Sequence, residues 1–215
     1  MQKSVYSLVL MDDVVAAVDR LAYQQGTSRS NMVNRILAEY TQMVTPEQRI
    51  QDIFSAISAV LDSQSALQPM LSASDAMYSV RSALQYKYNP SVRYVVELYP
   101  HAGSELGEFR AQLRTQNPTL LLYLSQFYKL WAKLEDACLH GARRNCQAAG
   151  GRYTRVLRTP QGLSAEQLGQ ALADYVRLFD SCLKAFFDDL DDADRAVRAV
   201  QKTYTAGLDE ATAQL

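Results

Sequence analysis

Histidine is nearly missing from this chain, with only His101 and His140 among 215 residues. Cysteine is sparse too: Cys138, Cys146 and Cys182 form no Cys-x-x-Cys pair and fall into no metal-ligand spacing with the histidines. These shortages argue against zinc sites, dithiol chemistry and histidine-based acid–base catalysis. No GxSxG, P-loop or GxGxxG run occurs, and Gly150-Gly151 is a turn signal. The chain therefore reads as a non-enzyme with no cofactor and no metal, its thiols reduced and Cys182 in a helix core. No apolar run approaches the roughly 20 residues needed to cross a bilayer. Leu8-Val9-Leu10 gives way at once to Asp12-Asp13, unlike a signal peptide. A cytoplasmic protein without a membrane partner is expected. Neither sign of charge dominates, with 22 Lys/Arg against 23 Asp/Glu. The length suffices for a small module plus one domain with its own core.

The most informative stretch is the first forty or so residues. Val5 to Leu10 alternate, so that Tyr6, Leu8 and Leu10 share one side and Val5, Ser7 and Val9 the other. Asp12 or Asp13 is placed to cap or charge the helix that follows, in which Val14, Val15, Val18, Leu21 and Ala22 recur at helical spacing. Gly26 stands where a C-terminal cap glycine is expected. Ser28 offers an N-cap to a second helix whose stripe is Met32, Val33, Ile36, Leu37 and Tyr40. A lone strand leaves its backbone unpaired, and the simplest remedy is a second copy of the chain. Two such strands would pair antiparallel across a two-fold axis above four helices. The dimer core would comprise Tyr6, Leu8, Leu10, Val33, Ile36 and Leu37. The exposed side of such a ribbon fits a DNA major groove.

Residues 3 to about 43, with the segment Gly26-Thr27-Ser28-Arg29-Ser30-Asn31 leading into Met32-Val33, resemble the ribbon-helix-helix DNA-binding domain of CopG/Arc/MetJ-type repressors. The resemblance covers about a fifth of the chain and lies in the order and length of the parts. It implies that the outward strand residues Val5, Ser7 and Val9, with Lys3 beside them, read base edges. It also implies that Ser28, Arg29 and Ser30 dock on a phosphate. Physical chemistry points the same way for the second site, because a helix N-terminus presents free N–H groups and partial positive charge. The plainer alternative makes Ser28 only a cap and Arg29 a solvated side chain. The chain departs from the family pattern where two of three outward positions are valine, which contacts a thymine methyl but reads no donor or acceptor. Specificity would then rest on apolar contacts or DNA shape. Residues 1–45 are neutral, with four cations and four anions. Nickel-sensing relatives use a histidine-rich regulatory domain, which the histidine shortage disfavours here.

Residues 45–215 read as a mostly helical α+β domain, an antiparallel sheet covered on one face, following a ribbon-helix-helix module at 1–44. Thr45-Pro46-Glu47-Gln48 starts a helix that buries Ile50, Ile53, Phe54, Ile57, Val60 and Leu61. Residues 63–75 read as a loop. Alternation predicts a hairpin from Tyr78 to Leu98 around Asn89-Pro90, a strand over 109–114, a helix from Asn117 to Leu139 and a strand at Arg152–Arg158. Helices are predicted from Ser164 to about Leu190 and from Asp191 to Thr205, with a frayed end. Tyr78, Tyr86, Tyr88, Tyr94 and Tyr99 are core or interface tyrosines, or a stacking platform. Residues 106–160 carry a net +6 and residues 161–215 a net −5. Arg143, Arg144, Arg152, Arg155 and Arg158 could hold phosphate. The plainer reading is solvated faces with ion pairs to Asp188, Asp189, Asp191, Asp192 and Asp194. That acid run reads as a helix junction, without the spaced glycine of a calcium loop.

Three functional readings follow. The first is a homodimeric, or higher-order, sequence-specific DNA-binding transcriptional regulator, a repressor, whose second domain oligomerises or senses a ligand or protein partner. The second is a DNA-binding accessory protein of a plasmid or mobile element, in copy control, partition or conjugation. The third is a protein-interaction scaffold that uses the ribbon only to dimerise.

Overall fold

The structure, a computed structural model, describes residues 5–62, 66–100, 103–138 and 145–215. The chain divides into two compact units, Met1–Arg49 and Ile50–Leu215. Among the described residues there are seven helices and a six-stranded antiparallel sheet, an α+β architecture.

The first unit contains α1 (Asp12–Gln24) and α2 (Arg29–Tyr40). The strand expected at 5–10 is not formed: Val5 to Leu10 have no regular secondary structure, and the first regular element is α1. The physical reason is that a strand exists only through a neighbour's backbone, and nothing in one copy supplies it. Neither Asp12 nor Asp13 caps α1. Met11 occupies the cap position in extended conformation without a side-chain bond, and both aspartates lie in the first turn, where they complement the helix dipole. Gly26, at φ +60°, does turn the chain out of α1.

The helix α3 (Pro46–Leu61) begins in the first unit and runs into the second. Thr45 Oγ1 accepts from the Gln48 amide at 3.1 Å, and Ile50, Ile53, Phe54, Ile57 and Leu61 are buried. The second unit continues with β1 (Gln68–Met70), β2 (Met77–Ala83), β3 (Ser91–Leu98), β4 (Glu105–Gln112), α4 (Pro118–Cys138), β5 (Cys146–Ala149), β6 (Arg152–Arg158), α5 (Ala165–Asp188), α6 (Ala193–Gly207) and α7 (Glu210–Ala213). The sheet order is β1-β2-β3-β4-β6-β5.

Two strands lie where none was expected. β1 interrupts the 63–75 loop, of which 63–65 lie outside the described residues, and β5 pairs with β6 through the Gly150-Gly151 turn. Each is too short to show an alternation. Gly150 and Gly151 both sit at positive φ, 56° and 77°, the conformation a two-residue hairpin requires. The first hairpin is shorter than its alternation suggested. β2 stops at Ala83, and Tyr88 and Asn89 take positive φ in the connection, leaving Tyr88 fully exposed.

One sheet face carries Val80, Tyr94, Val96, Phe109, Tyr153 and Leu157, all buried. α5 packs on it through Tyr175 and Phe179, with Phe109 lying 5.0 and 5.1 Å from their rings. α3 reaches the same face through Phe54 against Tyr78, and α4 through Tyr128 against Tyr153. α6 joins from outside by Tyr204 on Trp131 at 5.1 Å. Ser164 and Gln167 close a full capping box at the start of α5. α5 buries Cys182, whose thiol burial pushes up to about 12. The end of the described chain is packed rather than frayed: α7 follows α6, and Leu215 is fully buried.

Candidate nucleic-acid interface

The α1–α2 pair is held by a very small core. Val18, Ala22 and Met32 are buried, with Val33 packed against them. Ser28 takes extended backbone angles, and its Oγ accepts from the Asn31 amide at 3.3 Å. The amides of Arg29 and Ser30 open the first turn and have no acceptor within the helix, so they face outward as donors. The Arg29 guanidinium is engaged rather than simply solvated. Its Nε and Nη2 donate to the two carboxylate oxygens of Asp19 at 2.6 and 2.5 Å. This bidentate bond holds the Asp19 carboxyl below its ordinary value. Arg35 likewise donates to Gln25 Oε1 at 2.5 Å. Both cationic side chains of α2 therefore cross-link the helix pair.

The residues expected to form a dimer core are largely open in the single chain. Tyr6, Leu8 and Leu10 are 82%, 63% and 45% exposed, and Ile36 and Leu37 are exposed as well, while Val33 is half-buried. Val5, Ser7 and Val9, the expected base-facing positions, are exposed. Lys3 lies outside the described residues. The structure thus places Ser28, Arg29 and Ser30 together at one helix start and leaves 5–10 unpaired.

The second unit contains a polar cluster that the sequence reading missed. Arg155, read from the sequence as part of a solvated face or a phosphate contact, is instead 0% exposed and points into the core. Its Nη1 donates to Glu135 Oε1 at 2.6 Å, its Nη2 donates to the Leu215 oxygen, and its guanidinium lies 4.7 Å from the centre of the Tyr175 ring. Tyr175 and Tyr153 donate to the two Glu135 oxygens at 2.9 and 3.0 Å. Burial raises the Glu135 carboxyl above its usual range, against the opposing pull of Arg155 and the two phenols. The cluster ties β6, α4, α5 and Leu215 together. Its sequence signal is faint, because an arginine on an alternating strand looks outward until the inward positions are counted from Tyr153 and Leu157.

The ion pair described for the acid run at 188–194 is local rather than with the basic stretch. Asp189 pairs with Arg195, and Asp192 caps α6 through the Arg195 amide at 2.9 Å, so the run serves its own helix junction. Arg110 of β4 pairs instead with Glu97 and Glu108, while Arg143 and Arg144 lie outside the described residues. Among the described residues no group of three His, Cys, Asp or Glu could hold a metal ion. No described helix is long and apolar enough to cross a membrane.

No protein-family model matches this chain, and neither the curated proteins nor the solved structures contain a match to it. A helix start with outward amides, two serines and an arginine can bind an oxyanion. An adjoining unpaired segment whose sequence alternates can form a strand when a partner backbone is supplied.

Proposed function

We propose that the chain is a homodimeric, sequence-specific DNA-binding regulator of transcription that acts in the cytoplasm, reading the major groove through a ribbon formed by residues 5–10 of two copies. The observation that carries this reading is the exposed set Tyr6, Leu8 and Leu10, with Ile36 and Leu37 of α2 also uncovered, in a unit whose described residues bury only Val18, Ala22 and Met32. Such surface is costly to leave in water, and pairing two copies would cover it while satisfying the strand backbone. The opposite side would then present Val5, Ser7 and Val9 to the groove. Ser28, Ser30 and the outward amides of α2 would fix the register on phosphates. The wild-type protein should select particular duplexes from a random pool and bind them more tightly than scrambled controls in fluorescence anisotropy. Equal binding to every duplex, or none, would overturn the reading and favour a dimer clasp.

A further inference from the structure

Strand register places a row of long polar side chains straight across the sheet on the face opposite the helices. Gln68 of β1 stands opposite Arg81, Arg81 opposite Arg93, Arg93 opposite Gln112, and Gln112 opposite Arg152. Neighbouring strands are about 4.8 Å apart, so Arg81 to Arg152 spans roughly 14 Å. Arg81 and Arg152 are exposed and Arg93 is half-buried. Arg81 meets only the Gln68 amide oxygen at 3.0 Å, and Arg93 only Ser79 at 3.1 Å, with its Nε unpartnered. None of the three pairs with a carboxylate among the described residues. Of the acids on this face, Glu97 and Glu108 are committed to Arg110, and Glu105 stands opposite Arg158.

Arginines placed directly opposite one another on a sheet destabilise it. Three cations in one row without counter-charge give the face a positive field that suits a linear polyanion. We propose that this face is a second, sequence-indifferent contact for the phosphate backbone of duplex DNA. The choice of DNA as the polyanion rests on the function proposed above; the charge of the face does not.

The test is salt-dependent anisotropy on one random duplex with four full-length proteins: wild type, Arg81→Ala/Arg152→Ala, Ser7→Asp/Val9→Asp, and the combination. Both arginines are exposed and Arg81 opposes Arg93, so the double variant should melt no lower than the wild type. Each lost phosphate contact removes about 0.9 from the slope of log K against log salt, so that slope should fall by about 2 per chain. Arg81→Lys/Arg152→Lys should restore it. An unchanged slope in the arginine variant, with weakened binding in the ribbon variant, overturns this proposal alone. The converse overturns the ribbon reading alone. An unchanged slope accompanied by altered oligomeric mass assigns the face to the acidic surface of another copy, and overturns the proposal as well.

Discussion

At the residue scale two of the arginine–carboxylate pairs have opposite weights. Arg155 and Glu135 are both essentially removed from water, so losing one partner strands the other. Arg155→Leu should cost about 3–5 kcal/mol, read as a lower urea midpoint for the second unit. A loss under about 1 kcal/mol would mean that the cluster is not a structural joint. Arg29 and Asp19 lie at the surface, where such a pair adds little stability. On the proposed reading their weight would fall on DNA binding. Asp19 would then compete with phosphate for Arg29, so Asp19→Asn should tighten DNA binding and Arg29→Ala should weaken it without changing sequence preference. Unchanged affinity in both variants would remove Arg29 from the interface. The same link has a pH sense. Asp19 is held below its ordinary 3.8, so the bond is present above that value and is lost as the solution is acidified through the lowered one. Release of Arg29 would appear as a change in its side-chain nitrogen resonances on acid titration; resonances that stay constant throughout would argue against the link.

At the element scale, α3 and α5 touch more closely than side chains permit. A Cβ on Gly169 would lie 2.5 Å from the Ala56 methyl and 2.7 Å from the Ile53 carbonyl oxygen. Glycine inside a helix ordinarily costs about 1 kcal/mol relative to alanine. Here Gly169→Ala should reverse that sign and destabilise by about 1–3 kcal/mol, because backbone and methyl on α3 must move. Chemical denaturation decides it, and a stabilised variant would show that the contact is loose. This contact was not legible beforehand. α5 announced itself through Ser164, Gln167 and its apolar stripe, but nothing in the chain marks Gly169 as the point where a helix 110 or so residues earlier crosses it. β1 and β5 escaped for another reason: three- and four-residue strands carry too few side chains to show a period.

At the scale of the whole molecule, the two units differ in self-sufficiency. The second has a continuous core running from Ile50 to Leu215, whereas the first buries three apolar residues among those described. Thermal unfolding should therefore show two transitions, and only the first-unit transition should rise with protein concentration, because its stability is coupled to association. Leu8→Asp should abolish that dependence and halve the mass in sedimentation, leaving the second transition in place. A variant that stays dimeric would place the contact between copies elsewhere.

The sequence by itself determined the elements whose signal is local. Ser28, Thr45 and Ser164 cap the helices they precede, Gly150-Gly151 turns a hairpin, and the long apolar stripes of α3 and α5 are buried, since capping, turn conformation and helical period each involve residues a few positions apart. Tertiary structure alone decided what depends on distant partners. It turned Arg155 inward, because Glu135, Tyr175 and Leu215 converge on its strand. It bound Arg29 to Asp19 across a helical hairpin, and it aligned Arg81, Arg93 and Arg152, from three different strands, into one row. It also left residues 5–10 without a strand, because no neighbouring backbone lies alongside them to supply the hydrogen bonds that define one.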